Sequence, residues 1–346
     1  MPVCYAYMVR CSGGALYTGW TTDLARRLAA HQSGKGAKYT RAFGAASLAW
    51  AEALPDKSAA LRREAALKKL PKAQKEALAA SFDPARFVLL RPAKPADAAK
   101  VLEIFGWYVK NSTASFLYEV PTVAEYRRAI AATRRTLPYI LAENALGQPL
   151  GYACAHPWRY GCDAYAWDAE TTIYLAPAAR RLGLGTMLYH GLLAALAKQG
   201  YRNAYAVLAD PNPESEAFHT AFGFVCEGRQ ARTGYKNGWQ GVSYWLLDLA
   251  DPAADQSAPP VPPSPLPAGQ LEEVLAAARL GEGWQTIAGR GTFWAALIAG
   301  PAAPRRRPRP LPCGPGAEFL GPPSPPVPPR PTAGPARSPV GRAMNF

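Results

Sequence analysis

Proline divides this chain before any other pattern is read. Of its 35 prolines, 22 lie in the last 96 residues. The runs APPVPPSPLPAG and GPPSPPVPPRPTAGP in that stretch fix φ and remove amide donors, so they favour polyproline II and pair into neither sheet nor helix. A core must come from residues 1–250, and 251–346 is expected to be a Pro-rich, mostly disordered tail. A short island, Gln270 to Ala278, is patterned as one helix, but alone it has nothing to bury against. A ligand for a proline-binding module and a plain linker both fit the tail, and the linker is the simpler reading.

The rest of the chain can fold. Its 346 residues are 49% hydrophobic, enough for about two or three domains. The formal charge is +14, of which residues 1–84 carry +7, 85–250 carry +4 and 251–346 carry +3. This excludes a polyelectrolyte chain. No apolar run reaches the roughly 18 residues of a membrane span; Phe293 to Gly300 is too short. The N-terminal MPVCYAYMVRC lacks a secretory pattern. The 6 cysteines form no CxxC pair, and with the 4 histidines they make no zinc spacing. They read as reduced thiols in ordinary core positions, which gives a cytoplasmic expectation. There is no internal repeat. The expected domains are 1–80, 86–250 and the tail, with a hinge near Ser81 to Pro84.

In residues 1–80, Cys4 to Val9 and Ala15 to Trp20 read as two strands joined at Gly13-Gly14. Thr22 reads as the N-cap of a helix from Leu24 to Gln32, which puts Arg27 and His31 on one face. A basic loop follows, with Lys35, Lys38 and Arg41. Ser58 reads as the cap of a helix carrying Glu64, with another helix from Lys72 to Ala80.

Tyr5-Ala6-Tyr7, Tyr17-Thr18-Gly19, Arg27, His31 and Glu64 stand in an order and spacing that resembles the GIY-YIG nuclease superfamily, over about the first 80 residues. The resemblance implies a small α/β domain and phosphodiester hydrolysis. Glu64 would hold one divalent cation, Mg or Mn, as a Lewis acid. Arg27 would bind the phosphate, Tyr7 or Tyr17 would relay the proton of the attacking water, and His31 would transfer a proton or touch phosphate. For the phenol to do this, the metal or Arg27 must lower its pKa. Lys35, Lys38 and Arg41 would hold a nucleic-acid backbone by charge. The first signature is degenerate, and the Asn that many members carry late in the domain is missing before Asn111. A binding relic without cleavage stays open beside the nuclease.

Residues 86–249 alternate strand and helix patterns: strands at Phe87–Pro92, Tyr139–Glu143, Pro149–Ala155, Glu170–Leu175, Tyr201–Leu208 and Tyr244–Leu247; helices at Ala96–Lys110, Val123–Thr136, Met187–Gln199 and Glu214–Phe222. A strand running into Arg180-Arg181-Leu182-Gly183-Leu184-Gly185-Thr186 and then a helix is a phosphate cradle, because glycines let the backbone approach and helix-start amides face the anion.

That loop, with Asn212-x-x-Ser215-x-x-Phe218-His219, resembles the GNAT acetyltransferase superfamily, near phosphinothricin-type N-acetyltransferases. The resemblance implies a mixed, twisted central sheet flanked by helices, so the chain as a whole is α+β / α/β. It implies acetyl-CoA bound through Ile173, Leu175, Arg180, Arg181, Gly183, Leu184, Gly185, Thr186, Asn212 and Ser215, with an oxyanion met by a backbone amide near Leu175. Glu170 would be the base that frees the substrate amine. His219 would protonate the leaving thiolate, where many members use Tyr; a half-buried structural histidine is equally compatible with the residue alone. Ser112, Thr113, Arg159, Tyr165 and Trp167 would line a pocket for a small amino-acid-like amine of the phosphinothricin or methionine-sulfoximine kind. Relatives of this kind often form homodimers, so the resemblance allows one. The alternative to a bifunctional enzyme is a nucleic-acid-binding protein whose acetyltransferase acts on a protein partner. A fusion of two independently working halves is the third reading.

Overall fold

The computed structural model describes residues 4–159, 162–180, 183–249 and 261–280, all within one compact unit. Arg181, the apolar run 293–300 and Cys313 lie outside the described residues. Strand β1 (Cys4–Cys11) is the middle of a three-stranded antiparallel sheet between β2 (Leu16–Thr21) and β3 (Ala45–Leu54). Its two faces are both covered, which is why CYAYMV is apolar throughout and not alternating. Tyr5, Tyr7 and Val9 pack with Leu24 and Leu28 of helix α1 (Leu24–Gln32). Ala6 and Met8 pack on the opposite side with Leu67 of α3 (Lys57–Lys69) and Leu78 of α4 (Lys72–Ser81).

The helix starts differ from the sequence reading by one or two residues. Asp23, and not Thr22, caps α1, accepting the Arg26 amide at 2.9 Å. Asp56, and not Ser58, caps α3, accepting the Ala59 amide at 2.7 Å. In each case a carboxylate, the stronger acceptor beside a helix N-terminus, takes the position. The expected basic loop contains a short helix, α2 (Lys38–Phe43).

The second sheet has seven strands in the order β4-β5-β6-β7-β8-β10-β9. These are β4 (Val88–Pro92), β5 (Tyr139–Asn144), β6 (Pro149–Pro157), β7 (Asp168–Leu175), β8 (Asn203–Asp210), β9 (Val225–Tyr235) and β10 (Trp239–Asp248). Every neighbouring pair is antiparallel except β7 and β8. The parallel pair is joined by α7 (Leu184–Gln199), the crossover such a pair needs. The other helices are α5 (Ala98–Asn111), α6 (Val123–Thr133) and α8 (Pro213–Ala221). Thus β7 is the central strand, with α7 on one face and α5 on the other.

One expectation fails in the C-terminal segment. The island becomes helix α9 (Gln270–Leu280), and it does have a surface to bury: Val274, Leu275, Ala276 and Ala278 are all buried. It lies on α7 at Gly191, where an added Cβ would stand 2.8 Å from Leu275 Cδ2. Glycine in mid-helix is unfavourable by itself; here it permits the close approach. Ala276 also joins the cluster of Tyr5, Leu89 and Ala145, so α9 packs against both sheets' surroundings.

Candidate active sites

In the three-stranded sheet, β1, β2 and α1 bring four of the expected residues together. Tyr7 Oη lies 2.8 Å from His31 Nε2 and accepts from Arg27 Nε at 3.0 Å. His31 Nδ1 lies 2.7 Å from Thr40 Oγ1, and Thr40 donates to the Ala37 carbonyl at 3.0 Å. These partners fix the protons. The Thr40 hydroxyl proton is committed to Ala37, so Nδ1–H donates to Thr40, and Nε2 is the acceptor for the Tyr7 hydroxyl. Tyr17 completes the group, its ring 5.4 Å from that of His31. Gly19 faces Tyr7 across the ladder, and an added Cβ there would stand 2.7 Å from Tyr7 Oη.

Burial pushes the Tyr7 phenol above its ordinary pKa, outweighing the lowering by Arg27, and the Glu64 charge adds to the rise. Arg27 does lower it, as expected, but burial outweighs that effect and the net shift is upward. Burial, helped by Arg27, brings His31 down to about 4, so it is a neutral acceptor at physiological pH.

Glu64 lies on α3 with its side chain 14% exposed and one oxygen 2.8 Å from Lys68 Nζ. Among the described residues, no three His, Cys, Asp or Glu cluster as a metal site. A single carboxylate still suits a hard cation that keeps most of its waters and takes substrate phosphate as a further ligand. Lys35, Lys38 and Arg41 are all exposed near α2, at the Thr40 side of the group. Thr40 was not anticipated; within a basic run it reads only as a polar loop residue.

In the seven-stranded sheet, β7 and β8 pair only from Asp168↔Asn203 to Glu170↔Tyr205, and then they part. Thr171 stands at the parting: its hydroxyl donates to the Tyr205 carbonyl at 2.8 Å and lies 2.6 Å from Tyr189 Oη. The β7 edge over 171–175 faces an opening. Glu170 stands at the fork, in register with His156 and Tyr205. Burial, with no charged or hydrogen-bonded partner set against it, pushes its carboxyl up to about 7.

The start of α7 lies at the other end of this opening. Gly183 is its N-cap at φ +72°, with open space where a Cβ would be. Among the described residues no side chain caps the helix, and no acidic residue occupies its first turn. The amides of Leu184, Gly185 and Thr186 thus keep the unmet donors of a helix start. Gly185 packs closely, since an added Cβ would lie 3.3 Å from the Phe218 ring, which would have to give by a few tenths of an ångström. Arg180 is exposed, its guanidinium over Trp107 and Tyr108, each at 5.4 Å. It donates to Tyr108 Oη at 3.1 Å, and Tyr108 donates to the Leu175 carbonyl at 2.7 Å. Tyr108 thereby ties the cradle arginine to the end of β7, a role its place in an apolar helix pattern does not reveal. The side chains of Ile173 and Leu175 pack into the core beneath α7.

Asn212 caps α8 by accepting the Ser215 amide at 3.3 Å. His219 departs from the expected acid. It is 1% exposed, with its ring against Tyr189, Phe218 and Phe224. Nδ1 donates to the Ser215 carbonyl at 2.8 Å, and burial brings its pKa down to about 4. A neutral imidazole with its one N–H committed to its own helix has no proton for a thiolate.

The expected acceptor residues divide. Ser112 and Thr113 belong to a loop drawn towards the Glu170 face, because Tyr174 donates to the Ala114 carbonyl at 3.0 Å. Lys236, not anticipated, holds that loop by donating to the Val109 and Ser115 carbonyls at 2.8 and 2.7 Å. Arg159 lies over Trp158 and Tyr165 at 5.9 and 5.8 Å, and Trp158 stacks at 4.2 Å on Tyr205, the register partner of Glu170. Trp167 is not drawn in; its indole donates to the Val261 carbonyl at 3.0 Å. A cavity of about 290 Å³ under the 265–272 segment is lined by Arg134, Leu137 and Gln199 and is separate from Glu170.

Residues 3–77 match the family model described as the GIY-YIG catalytic domain, and residues 101–224 match the acetyltransferase (GNAT) family. A phosphinothricin N-acetyltransferase of Streptomyces viridochromogenes is 36% identical over 177 residues, covering 51% of this chain and 96% of that protein. A UPF0213 protein of Cupriavidus pinatubonensis is 49% identical over 79 residues, covering 23% of this chain and 88% of that protein. Among solved structures, a GNAT superfamily phosphinothricin acetyltransferase from Sinorhizobium meliloti in complex with AcCoA is 31% identical at a TM-score of 0.47, covering 50% of this chain and 93% of the other.

Proposed function

From a chain that belongs to the GIY-YIG family in its first part and to the phosphinothricin N-acetyltransferase-like GNAT family in its second, we infer an acetyl-CoA-dependent N-acetyltransferase whose acceptor is a small amino-acid-like amine. One observation carries this reading: a carboxyl brought to about 7 by burial, at the fork of the parallel strand pair. An amine must lose its proton before it attacks a thioester, and a base works best when its pKa lies near the working pH. Glu170 meets that requirement.

The open edge of β7 offers amides and carbonyls to an extended chain such as pantetheine. The uncapped start of α7 offers donors to a diphosphate, with Arg180 beside it. His219 orients α8 and takes no proton role, so in this reading the leaving thiolate is protonated from water. The Ser112–Thr113 loop and Arg159 with Tyr165 flank the acceptor side, and the guanidinium suits an acceptor carboxylate. The test is release of free thiol from acetyl-CoA across an amino-acid panel. We expect Glu170→Gln to lose about 10²- to 10⁴-fold in kcat/KM. Absence of acetylation across the panel would remove the reading.

The Tyr7–His31–Arg27 group favours a second activity, metal-dependent phosphodiester cleavage in the first domain. Arg27 would hold the phosphate while its Nε donates to the Tyr7 oxygen; as water adds to phosphorus and the leaving oxygen departs, Tyr7 would take the water's proton and hand its own to His31 Nε2. A Mg or Mn ion on Glu64 would supply Lewis-acid polarisation of the phosphate. Plasmid nicking that needs the metal and is lost in Glu64→Ala supports cleavage. Salt-sensitive binding without nicking supports a docking module instead.

A further inference from the structure

The aromatic rings beside Tyr7 and His31 continue outward into solvent. Tyr17 stacks on Tyr39 with centroids 6.2 Å apart and planes 20° apart, and Tyr39 meets Phe43 at 4.7 Å. Tyr39 is 42% exposed and Phe43 56%. Both sit on α2, four residues apart and so on one side of it, while Thr40 turns inward to His31. The core does not require these rings, since burial of α2 is met by Thr40. An exposed apolar patch with a polar rim marks an interaction site. Its rim here is cationic: Lys35, Lys38 and Arg41 are exposed around it, within a segment, residues 1–84, that carries +7.

The partner that pairs flat apolar faces with a regular run of negative charge is a nucleic acid. A duplex hides its base faces inside the stack, whereas a single strand displays them. We propose that Tyr39 and Phe43 form a base-stacking platform through which the first domain takes single-stranded nucleic acid. The backbone is held by Lys35, Lys38 and Arg41, and the strand leads towards Arg27. The proposal rests on the nucleic-acid reading of this domain but not on cleavage.

The test is fluorescence anisotropy with the full chain in EDTA, where metal-dependent cleavage is absent. The probes are a labelled 12-nucleotide single-stranded DNA and the duplex of the same sequence. We expect the single strand to bind about tenfold more tightly at the same salt. Phe43→Ala should weaken single-strand binding by about tenfold with an unchanged salt slope, because stacking is sequence-tolerant and uncharged. Tyr39→Phe, which keeps the ring, should retain affinity. Lys38→Ala should weaken both probes and flatten the salt dependence. Both aromatic positions are exposed, and unchanged melting temperatures would show that the variants fold. Equal affinity for the two probes, an inert Phe43→Ala, or no binding at low salt would each overturn the platform. Plasmid nicking that survives such a result would leave the nuclease reading standing.

Discussion

Around Tyr7 the side chains answer one another. Arg27 donates to Tyr7, Tyr7 donates to His31, His31 donates to Thr40, and Thr40 donates to a backbone carbonyl. Around Glu170 they do not. The carboxyl has only burial acting on it, and the start of α7 is uncapped. The first site is organised by its own hydrogen bonds, so a ligand meets an arrangement already fixed. The second holds unmet groups apart on rigid elements, so a ligand supplies the missing partners. In the first, removing a side chain should damage the fold as well as the chemistry. In the second, removal should relieve the fold while the chemistry suffers.

Glu170 gives the sharpest form of that contrast. If it is the base, kcat/KM for the amine should rise with pH and level off above about 7, and Glu170→Gln should lack this limb besides its large loss of rate. Stability should move the other way. A carboxyl whose pKa is raised from 4.5 to about 7 on folding contributes stability below about 4.5 that is lost as pH rises through 7. Holding it ionised at pH 8 costs the fold on the order of 3 kcal/mol, at about 1.4 kcal/mol per tenfold change in proton affinity. Glu170→Gln should therefore melt above the parent protein at pH 8, with the gap closing towards pH 4.5. A variant that melts lower at pH 8 would mean that the carboxylate is satisfied in the fold, and the contrast between the sites would fail.

Thr40→Val tests the first site from the other side. The swap keeps shape but leaves His31 Nδ1–H without its acceptor in a buried place, which should cost about 1–3 kcal/mol. The readout is the melting temperature, together with any nicking activity. A melting temperature equal to the parent's would show that the chain of hydrogen bonds does not hold this site together.

How much of this was legible depends on whether the deciding contact is local. The strand–glycine–helix passage from Leu175 to Gly185 was readable, because glycine and a long apolar helix leave few alternatives. The pairing of Arg27 with His31 followed from their spacing of four. Strand β3 escaped: AASLAWAEAL is rich in alanine, a helix former, and becomes a strand because β1 offers it an edge. Strand β9 escaped because it is a mostly exposed edge with little apolar alternation. The α9 island was seen but its partner was not, since the groove at Gly191 lies about eighty residues earlier in the chain. The family resemblance suggested His219 as an acid; only the surrounding rings of Tyr189, Phe218 and Phe224 decide that it is neutral. Thr171 looked like one more strand residue, yet its hydroxyl bridges β7 to the Tyr205 carbonyl of β8 where the backbone ladder ends.

The smallest expected effect tests whether the second site is open by design of its backbone. Gly183 holds φ +72°, and a Cβ there meets nothing within 4 Å. Gly183→Ala therefore introduces conformational strain without a clash inside the protein, about 1–2 kcal/mol for an L-residue in the left-handed region. The strain can be relieved by rotating the first turn of α7, which would swing the amides of Leu184, Gly185 and Thr186 away from the opening. The expected result is a several-fold rise in KM for acetyl-CoA with kcat close to the parent value, because Glu170 lies on a different element. A loss confined to kcat would place Gly183 with the chemistry, not with the anion. An unchanged KM would mean that the diphosphate is held elsewhere, with Arg180 as the next residue to remove.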